Sequence, residues 1–470
     1  MPSSARLLPP KDLWKPPAVL AVVLLTAACT SQAAVHHDRG LDPYLQGTAE
    51  IEEAQTVWLD DDERRAQVDD LLAEPLGMDQ ALQVALLNNA GLQADLAGID
   101  IRQGILRQDA TLANPELHSE FYVIGPDSWD LYRVEASVEF DLTDLLARAS
   151  RLRAASDGIE ASRAQAAGRI LDFTDEVRRA WIDYVAARQS LEHQQQIQQA
   201  SEAAAETARI YHESGNLADD ELYQILAFSA EARQALFHAE DTAEDRRNAL
   251  ALLLSLPVDG NWSAPAQLAQ PPEDLPPIQQ LEEQAVEHSP RLEQLELEGQ
   301  RQQALVTSSR WQGLVPALRL GVIADWRAGE LEMGPTVGMA IPLFDRQRYE
   351  RDAIRARQVQ LDFQRDHHVH RVRTSSARVT RRLRQSHRLA THYSEEILPL
   401  RERVVEEMLR QYNAMTIGIF ELLDARRTHL EARSDYVDAL RDFWIARAEY
   451  EHLLAGGTLD DGPGVGDAAH

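Results

Sequence analysis

A chain of 470 residues with 44% hydrophobic side chains is long enough for two or three ordinary domains and a sizeable buried core. Its formal net charge of −29 excludes nucleic acid as a natural partner, because neutralising phosphates takes clustered Lys and Arg. Lysine occurs only at Lys11 and Lys15, so arginine carries all the positive charge beyond residue 15.

Residues 1–28 have the layout of a signal peptide. Arg6, Lys11 and Lys15 form a positive region ahead of the apolar run Ala18 to Ala28. That run is about eleven residues, short of the ~20 a spanning helix needs. Thr26, Ala27 and Ala28 precede Cys29, the one cysteine of the chain. Small residues before a lone cysteine resemble a bacterial lipobox, with Leu25 one place earlier than usual. On this reading Cys29 is the lipidated first residue of the mature protein. The other reading is cleavage after Ala28 with Cys29 left as a free thiol. Thr30, in place of an Asp, is permissive for the outer membrane. Residues 29–75, rich in Asp and Glu, are expected to be an irregular or partly helical lipidated segment. Beyond residue 29 no run of 18 apolar residues occurs. A crossing would therefore have to use β-strands, which are short and only half apolar.

The rest is one plan written twice, as repeat 1 (76–256) and repeat 2 (279–456). Ala81 to Leu92 corresponds to Leu281 to Leu292, Asn114–Leu117 to Val315–Leu318, and Tyr211 to Tyr412. The near-constant offset of about 200 points to internal duplication. A Pro-rich connector, 257–278, separates the copies and is expected on the outside of the molecule. A flexible tail is expected over 457–470.

Each repeat reads as helix, strand pair, long helix, short break, helix. Leu117, Phe121 and Val123 oppose His118, Glu120 and Tyr122, and Gly125 to Ser128 is turn chemistry. Tyr132, Val134, Ala136, Val138 and Phe140 alternate with Arg133, Glu135, Ser137, Glu139 and Asp141. In repeat 2, Leu318, Leu320, Val322, Ala324 and Trp326 alternate with Arg319, Gly321, Ile323 and Asp325, and Val337, Met339, Ile341 and Leu343 form the partner face. Strands of roughly nine to eleven residues suit a tilted bilayer crossing. Trp129, Trp311 and Trp326 fall at or near strand ends, where interfacial aromatics belong. Four strands cannot close a barrel that needs about eight, so the free edges require other chains.

The helices are very long. Residues 144–213 contain no Pro, and 346–413 contain only Pro399, which is expected to kink or interrupt the second helix. Each would extend on the order of 100 Å. Ile170, Phe173, Val177, Ala180, Tyr184, Ala187 and Leu191 form a narrow stripe, which predicts zipping against neighbouring helices in a bundle or cylinder.

At this point the chain resembles the TolC-like outer-membrane efflux family over roughly 76–455. Val337 to Arg346, containing Pro342-Leu343-Phe344-Asp345, is similar to the family's strand-to-helix junction. There Pro342 ends strand pairing and Asp345 caps the helix. Repeat 1 has no Pro here, and Thr143 or Asp144 is the expected cap. Tyr412 to Arg426 resembles the family's helix–turn–helix, with a counterpart from Tyr211 to Leu222. The resemblance implies a mainly α fold with a β-barrel portion. Long antiparallel helices form an α-barrel in a homotrimer, and four strands per chain enter a shared twelve-stranded barrel. It also implies an outer-membrane exit duct, lipid-anchored and extending into the periplasm, working with a periplasmic adaptor and an inner-membrane pump. The turns at Gly215, Asn216 and Leu217 and at Met415, Thr416 and Ile417 would meet the adaptor. Glu421 and Asp424 would face the pore at its closed end, as pore-constricting rings or, on the plainer reading, as solvated acids at a helix start.

No cofactor is implied, and no nucleotide loop, nucleophile motif or zinc spacing is present in the sequence. His367, His368 and His370 form the densest histidine cluster, read as a solvated helix flank in preference to a metal site. The other functional reading is a lipid-anchored periplasmic coiled-coil scaffold or adaptor, which explains the helices but not the strand pairs. The exported substrate, drug or heavy metal, stays open. Gln411 to Leu423 is similar to members associated with heavy-metal or copper efflux.

Overall fold

The computed structural model describes residues 61–124, 130–277, 280–327 and 330–459. The expected signal peptide, Cys29, the turn at 125–128 and Trp129 lie outside the described residues. A short helix α1 (Asp61–Leu71) leads into α2 (Met78–Asn88) and α3 (Ala90–Asp109). Strands β1 (Glu116–Ile124) and β2 (Asp130–Asp141) follow, then α4 (Leu142–Glu213) and α5 (Asp219–Leu254). Repeat 2 runs α6 (Leu281–Glu287), α7 (Pro290–Leu314), β3 (Arg319–Arg327), β4 (Glu330–Gly338), α8 (Arg348–His392), a π-helical turn (Tyr393–Ile397), α9 (Leu398–Asn413) and α10 (Ile419–Leu454).

Hydrogen bonds recur at an offset of 200. Asn89 caps α3 by accepting from Leu92 N at 2.8 Å, and Ser289 caps α7 by accepting from Leu292 N at 3.4 Å. Asn88 Nδ2 donates to Leu254 O at 2.9 Å, and His288 Nδ1 lies 3.3 Å from Leu454 O. In both repeats a polar side chain at the first helix break ties off the carbonyls at the end of the last helix, groups that a helix terminus leaves orphaned.

α4 is an uninterrupted 72-residue helix. Its counterpart is broken where proline predicts. Pro399 has no N–H to give the preceding turn and its ring crowds that turn's carbonyl, and the chain widens into the π turn directly before it. The main core surrounds the middle of α4. It includes Ile170, Phe173 and Val177 of the expected stripe, but also Trp181, Ile182 and Val185, with Leu440 and Phe443 of α10 and Leu82 and Leu86 of α2. The stripe was therefore too narrow. Residues of α2, α3, α5, α6, α8 and α10 gather around α4 in this core, so residues on several of its faces lose water.

The Pro-rich connector is inlaid, not laid on the outside. Trp262, Ala264 and Leu268 are buried, and Trp262 meets Tyr184 edge-on at 5.5 Å between ring centres. A segment that cannot form ladders must find other partners for its carbonyls. Arg247 donates to Val258 O and Gly260 O, Arg188 to Ala264 O, Trp444 Nε1 to Ala269 O, and His387 Nε2 lies 2.8 Å from Pro272 O. Gly457–Leu459, expected to begin the flexible tail, are packed. Leu459 is buried, and a side chain at Gly457 would strike the ring of His452.

Candidate functional site

The four strands form one antiparallel sheet in the order β1-β2-β3-β4, with β1 and β4 as free edges. β2 pairs with β3, so the two repeats are joined through their hairpins. The register aligns Phe121, Val134 and Trp326, and likewise Leu117, Val138, Val322 and Pro335, on one face. Arg133, Glu135, Glu139, Arg319 and Asp325 share the other.

The apolar face of this sheet is left open, with no layer of the chain packed over it. Leu117, Phe121 and Val337 are 71%, 66% and 67% exposed. The side chains of Asp325 and Glu139, on the charged face, are only 16% and 20% exposed. The charged face is laced across strands. Arg133 reaches Asp325 at 2.7 Å and Glu135 at 2.6 Å, and Arg319 lies within 4 Å of both Glu116 and Glu139. Gly321 belongs to this face because β2 approaches closely there; a Cβ would stand 2.2 Å from Val138 O. Sequence alternation found the two faces, but not the cross-strand ion pairs, because register is needed to match partners two strands apart.

The junctions correct several expectations. Asp141 caps α4, accepting from Thr143 N at 2.8 Å and Asp144 N at 3.2 Å, so neither Thr143 nor Asp144 is the cap. Thr143 is instead a buried stitch between repeats. Its hydroxyl donates to Val315 O at 2.8 Å and accepts from Leu318 N at 2.7 Å. In repeat 2, pairing ends at Gly338, four residues before Pro342, because β3 begins at Arg319 and leaves later residues no strand partner. Met339, Ile341 and Leu343 therefore lie beyond β4 and are exposed. Asp345 accepts from Gln347 N at 2.8 Å in a turn, and α8 starts only at Arg348, after Gln347 in left-handed backbone. Trp326 lies in β3, whereas Trp311 lies in α7 away from any strand end.

The two helix turns at the opposite end superimpose in hydrogen bonding at an offset of 200. Gly215 (φ 76°) and Met415 (φ 57°) both adopt left-handed backbone. Asn216 N donates to Tyr211 O at 2.8 Å and Thr416 N to Gln411 O at 3.0 Å. Tyr211 is thus equivalent to Gln411, and Tyr412 to His212. Gly215, Asn216, Met415 and Thr416 are exposed, Met415 at 93%, while Leu217 and Ile417 are half-buried. Leu217 packs with Leu423 on a small cluster of Ala205, Ala208, Leu222 and Ile225, so it joins the two hairpins there.

Glu421 and Asp424 are both exposed on α10 and three positions apart. The Glu421 carboxylate folds back over Gly418, where a Cβ would meet it at 3.0 Å. Asp424 is engaged by Arg427 at 2.7 Å, which also holds Glu431 at 2.7 Å. The hydrogen bond that Arg427 donates to Asp424, and then the charge of Glu431, raise the pKa of its guanidinium. Glu421 is the acid of the pair that has no such partner among the described residues.

The histidine cluster divides. His368 is buried against Ser289 Oγ at 3.2 Å, and burial, then the Arg291 charge, pushes its pKa down to about 4. His367 and His370 are exposed. Among the described residues no three His, Cys, Asp or Glu converge on a point that would hold a metal ion, and no helix is long and apolar enough to cross a membrane.

No family model matches the chain. Among curated proteins it is similar to the cobalt-zinc-cadmium resistance protein CzcC of Cupriavidus metallidurans, at 25% identity over 395 residues, 81% of this chain and 90% of that protein. Among solved structures it resembles the outer membrane protein VceC of Vibrio cholerae, with TM-score 0.68 and 14% identity over 81% of this chain and 96% of the other. It also resembles CusC, a structure described in terms of folding and transmembrane channel formation, with TM-score 0.67 and 15% identity over 82% of this chain and 93% of that one. With the open apolar sheet, the long helical hairpins and this near full-length similarity in place, the chain has the fold of the outer-membrane channel proteins it resembles.

Proposed function

We propose that the chain works as a homotrimer, a passive exit duct that carries substrate from a periplasmic adaptor and inner-membrane pump to the exterior. The observation that carries this reading is the sheet whose apolar face is left open while its other face is laced by cross-strand ion pairs. Lipid outside and water inside is the environment that stabilises such a surface. The free edges β1 and β4 are long and unpaired in one chain, and unpaired backbone in a membrane is costly. Pairing β4 with β1 of the next copy closes them, three copies giving twelve strands.

Cys29 is the lipid anchor on this reading. The turns at Gly215, Asn216 and Leu217 and at Met415, Thr416 and Ile417 are the adaptor contacts. The exposure of Met415 supports this, since a flexible thioether adapts to a partner surface. Pro342 and Asp345 sit in the exposed passage from sheet to helix. Glu421 contributes the net negative charge of the constriction, and Asp424 acts together with Arg427. We further infer that the cargo is a heavy-metal cation, on the similarity to CzcC and on carboxylates placed at the narrow end.

Purified protein in planar bilayers tests the duct. Discrete conductance is expected, with cation selectivity that falls in Glu421→Gln. The absence of any conductance would remove the reading. Cells lacking the protein are expected to become sensitive to cobalt, zinc or cadmium; unchanged metal tolerance with new drug sensitivity would replace the cargo assignment.

A further inference from the structure

A recess of about 380 Å³ lies between α3, α4, α7 and α8. Arg102, Arg291, Arg301 and Arg357 line it, against only two acids, Asp109 and Glu298. In a chain of −29 this is a local reversal of sign. Glu298 is already taken by Arg301 at 2.9 Å. The other three guanidiniums each donate to a neutral glutamine: Arg102 to Gln165 at 2.6 Å, Arg291 to Gln294 at 2.7 Å and Arg357 to Gln360 at 2.6 Å. Among the described residues none of the three has a carboxylate at ion-pair distance.

Gly158 shapes the recess. Inside a long helix a glycine is destabilising relative to alanine, so its presence needs a packing reason. Here a Cβ would stand 3.0 Å from Leu106 Cδ1 and 3.1 Å from Arg301 Cδ, so the glycine admits the Arg301 stem. Arg301 Nε is buried with no partner. Arg291, Arg102 and Arg357 stay open to solvent at the rim, while packing around the Arg291 head and then the neighbouring Arg357 charge lower its pKa. The positive field reaches His368, which the Arg291 charge helps keep neutral.

We propose that this recess binds a phosphate-type oxyanion between Arg291 and Arg357, with Arg102 and Arg301 beside it. Guanidinium forks match the oxygens of such an anion in bidentate fashion. The two positive charges in surplus match a divalent anion, and the volume accommodates a phosphate with its substituent. The same chemistry is offered by free phosphate and by an anionic lipid headgroup. The site stands apart from the duct reading and does not depend on it.

The test uses the full chain in uncharged detergent. Phosphate is titrated at ionic strength matched with chloride and followed by ³¹P NMR line broadening and by the unfolding temperature. Saturable binding is expected. The double variant R291Q/R357Q should weaken it at least about tenfold through loss of both forks, while R410Q, an exposed arginine on α9, leaves it unchanged. R357Q alone should raise the unfolding temperature in phosphate-free buffer by relieving repulsion, which a purely structural arginine would not do. If the double variant does not assemble, R357Q and R291K serve in its place, and both should weaken binding. Competition by added phosphatidylglycerol assigns the site to a lipid headgroup, and lack of competition assigns it to the free anion. No saturable response in the natural chain, or an equal response in the arginine variants, would overturn the proposal.

Discussion

The two repeats reach one architecture with different residues at matched places, and the differences separate what the fold requires from what one repeat happens to use. At the first helix break, Asn89 caps α3 and also anchors itself, its amide donating to Leu253 O at 2.8 Å. Ser289 is too short to do both, and relies on buried His368. At the far turns, the same left-handed residue is glycine in one repeat and methionine in the other. At the sheet, Asp141 caps its helix directly, whereas repeat 2 needs an irregular passage ending at Gln347. The shared backbone hydrogen bonds are the requirement; the side chains that meet it are local solutions.

The largest expected effect is at the stitch between repeats. Thr143→Val should lower stability by about 1–3 kcal/mol, since it leaves one carbonyl and one N–H half-buried and unpaired. Thr143→Ser should retain most of it. Thermal unfolding of the detergent-solubilised protein reads the difference; equal unfolding of T143V and the natural chain would mean the two hairpins do not depend on this contact.

Acid should act on repeat 2 before repeat 1. The pKa of His368 lies at about 4 in the fold, below its unfolded value near 6.5. Its contribution is therefore complete above pH 6.5 and is lost as pH falls from there toward 4. His368→Gln should flatten the stability–pH profile over that window, while Asn89→Asp, which alters the corresponding cap, should leave the His368-dependent part in place. A profile unchanged in H368Q would show that Ser289 does not depend on the neutral ring.

The smallest effects, and the sharpest in sign, are at the turns. Gly215→Ala should destabilise by about 1 kcal/mol, because open space surrounds the new methyl but the backbone is left-handed. Met415→Gly should stabilise by roughly 0.5–1 kcal/mol for the same reason reversed. Two changes of the same sign would contradict the equivalence of the turns. Loss of pump function in M415G despite the gain in stability would support its role as an adaptor contact.

Much of this was legible in the sequence. Period-two alternation gave the sheet faces, proline-free stretches gave the long helices, and Pro399 marked the interruption. What escaped depended on long-range placement. The connector reads as a surface strap because its prolines deny it ladders, yet Arg188, Arg247, His387 and Trp444 from distant helices satisfy its carbonyls. The end of β4 could not be placed from Met339, Ile341 and Leu343, which continue the alternation beyond the last residue of β3 able to pair. Asp424 looks like a free acid until Arg427, one turn on, is seen to hold it.

The central claim is that sister chains close the sheet edges within the outer membrane. Detergent extracts of outer membranes, run unheated and heated in denaturing gels, test it most directly. The account predicts a heat-modifiable trimer that stays with the membrane when Cys29, the proposed lipid site, is replaced by alanine. A soluble single chain released by that replacement would contradict it.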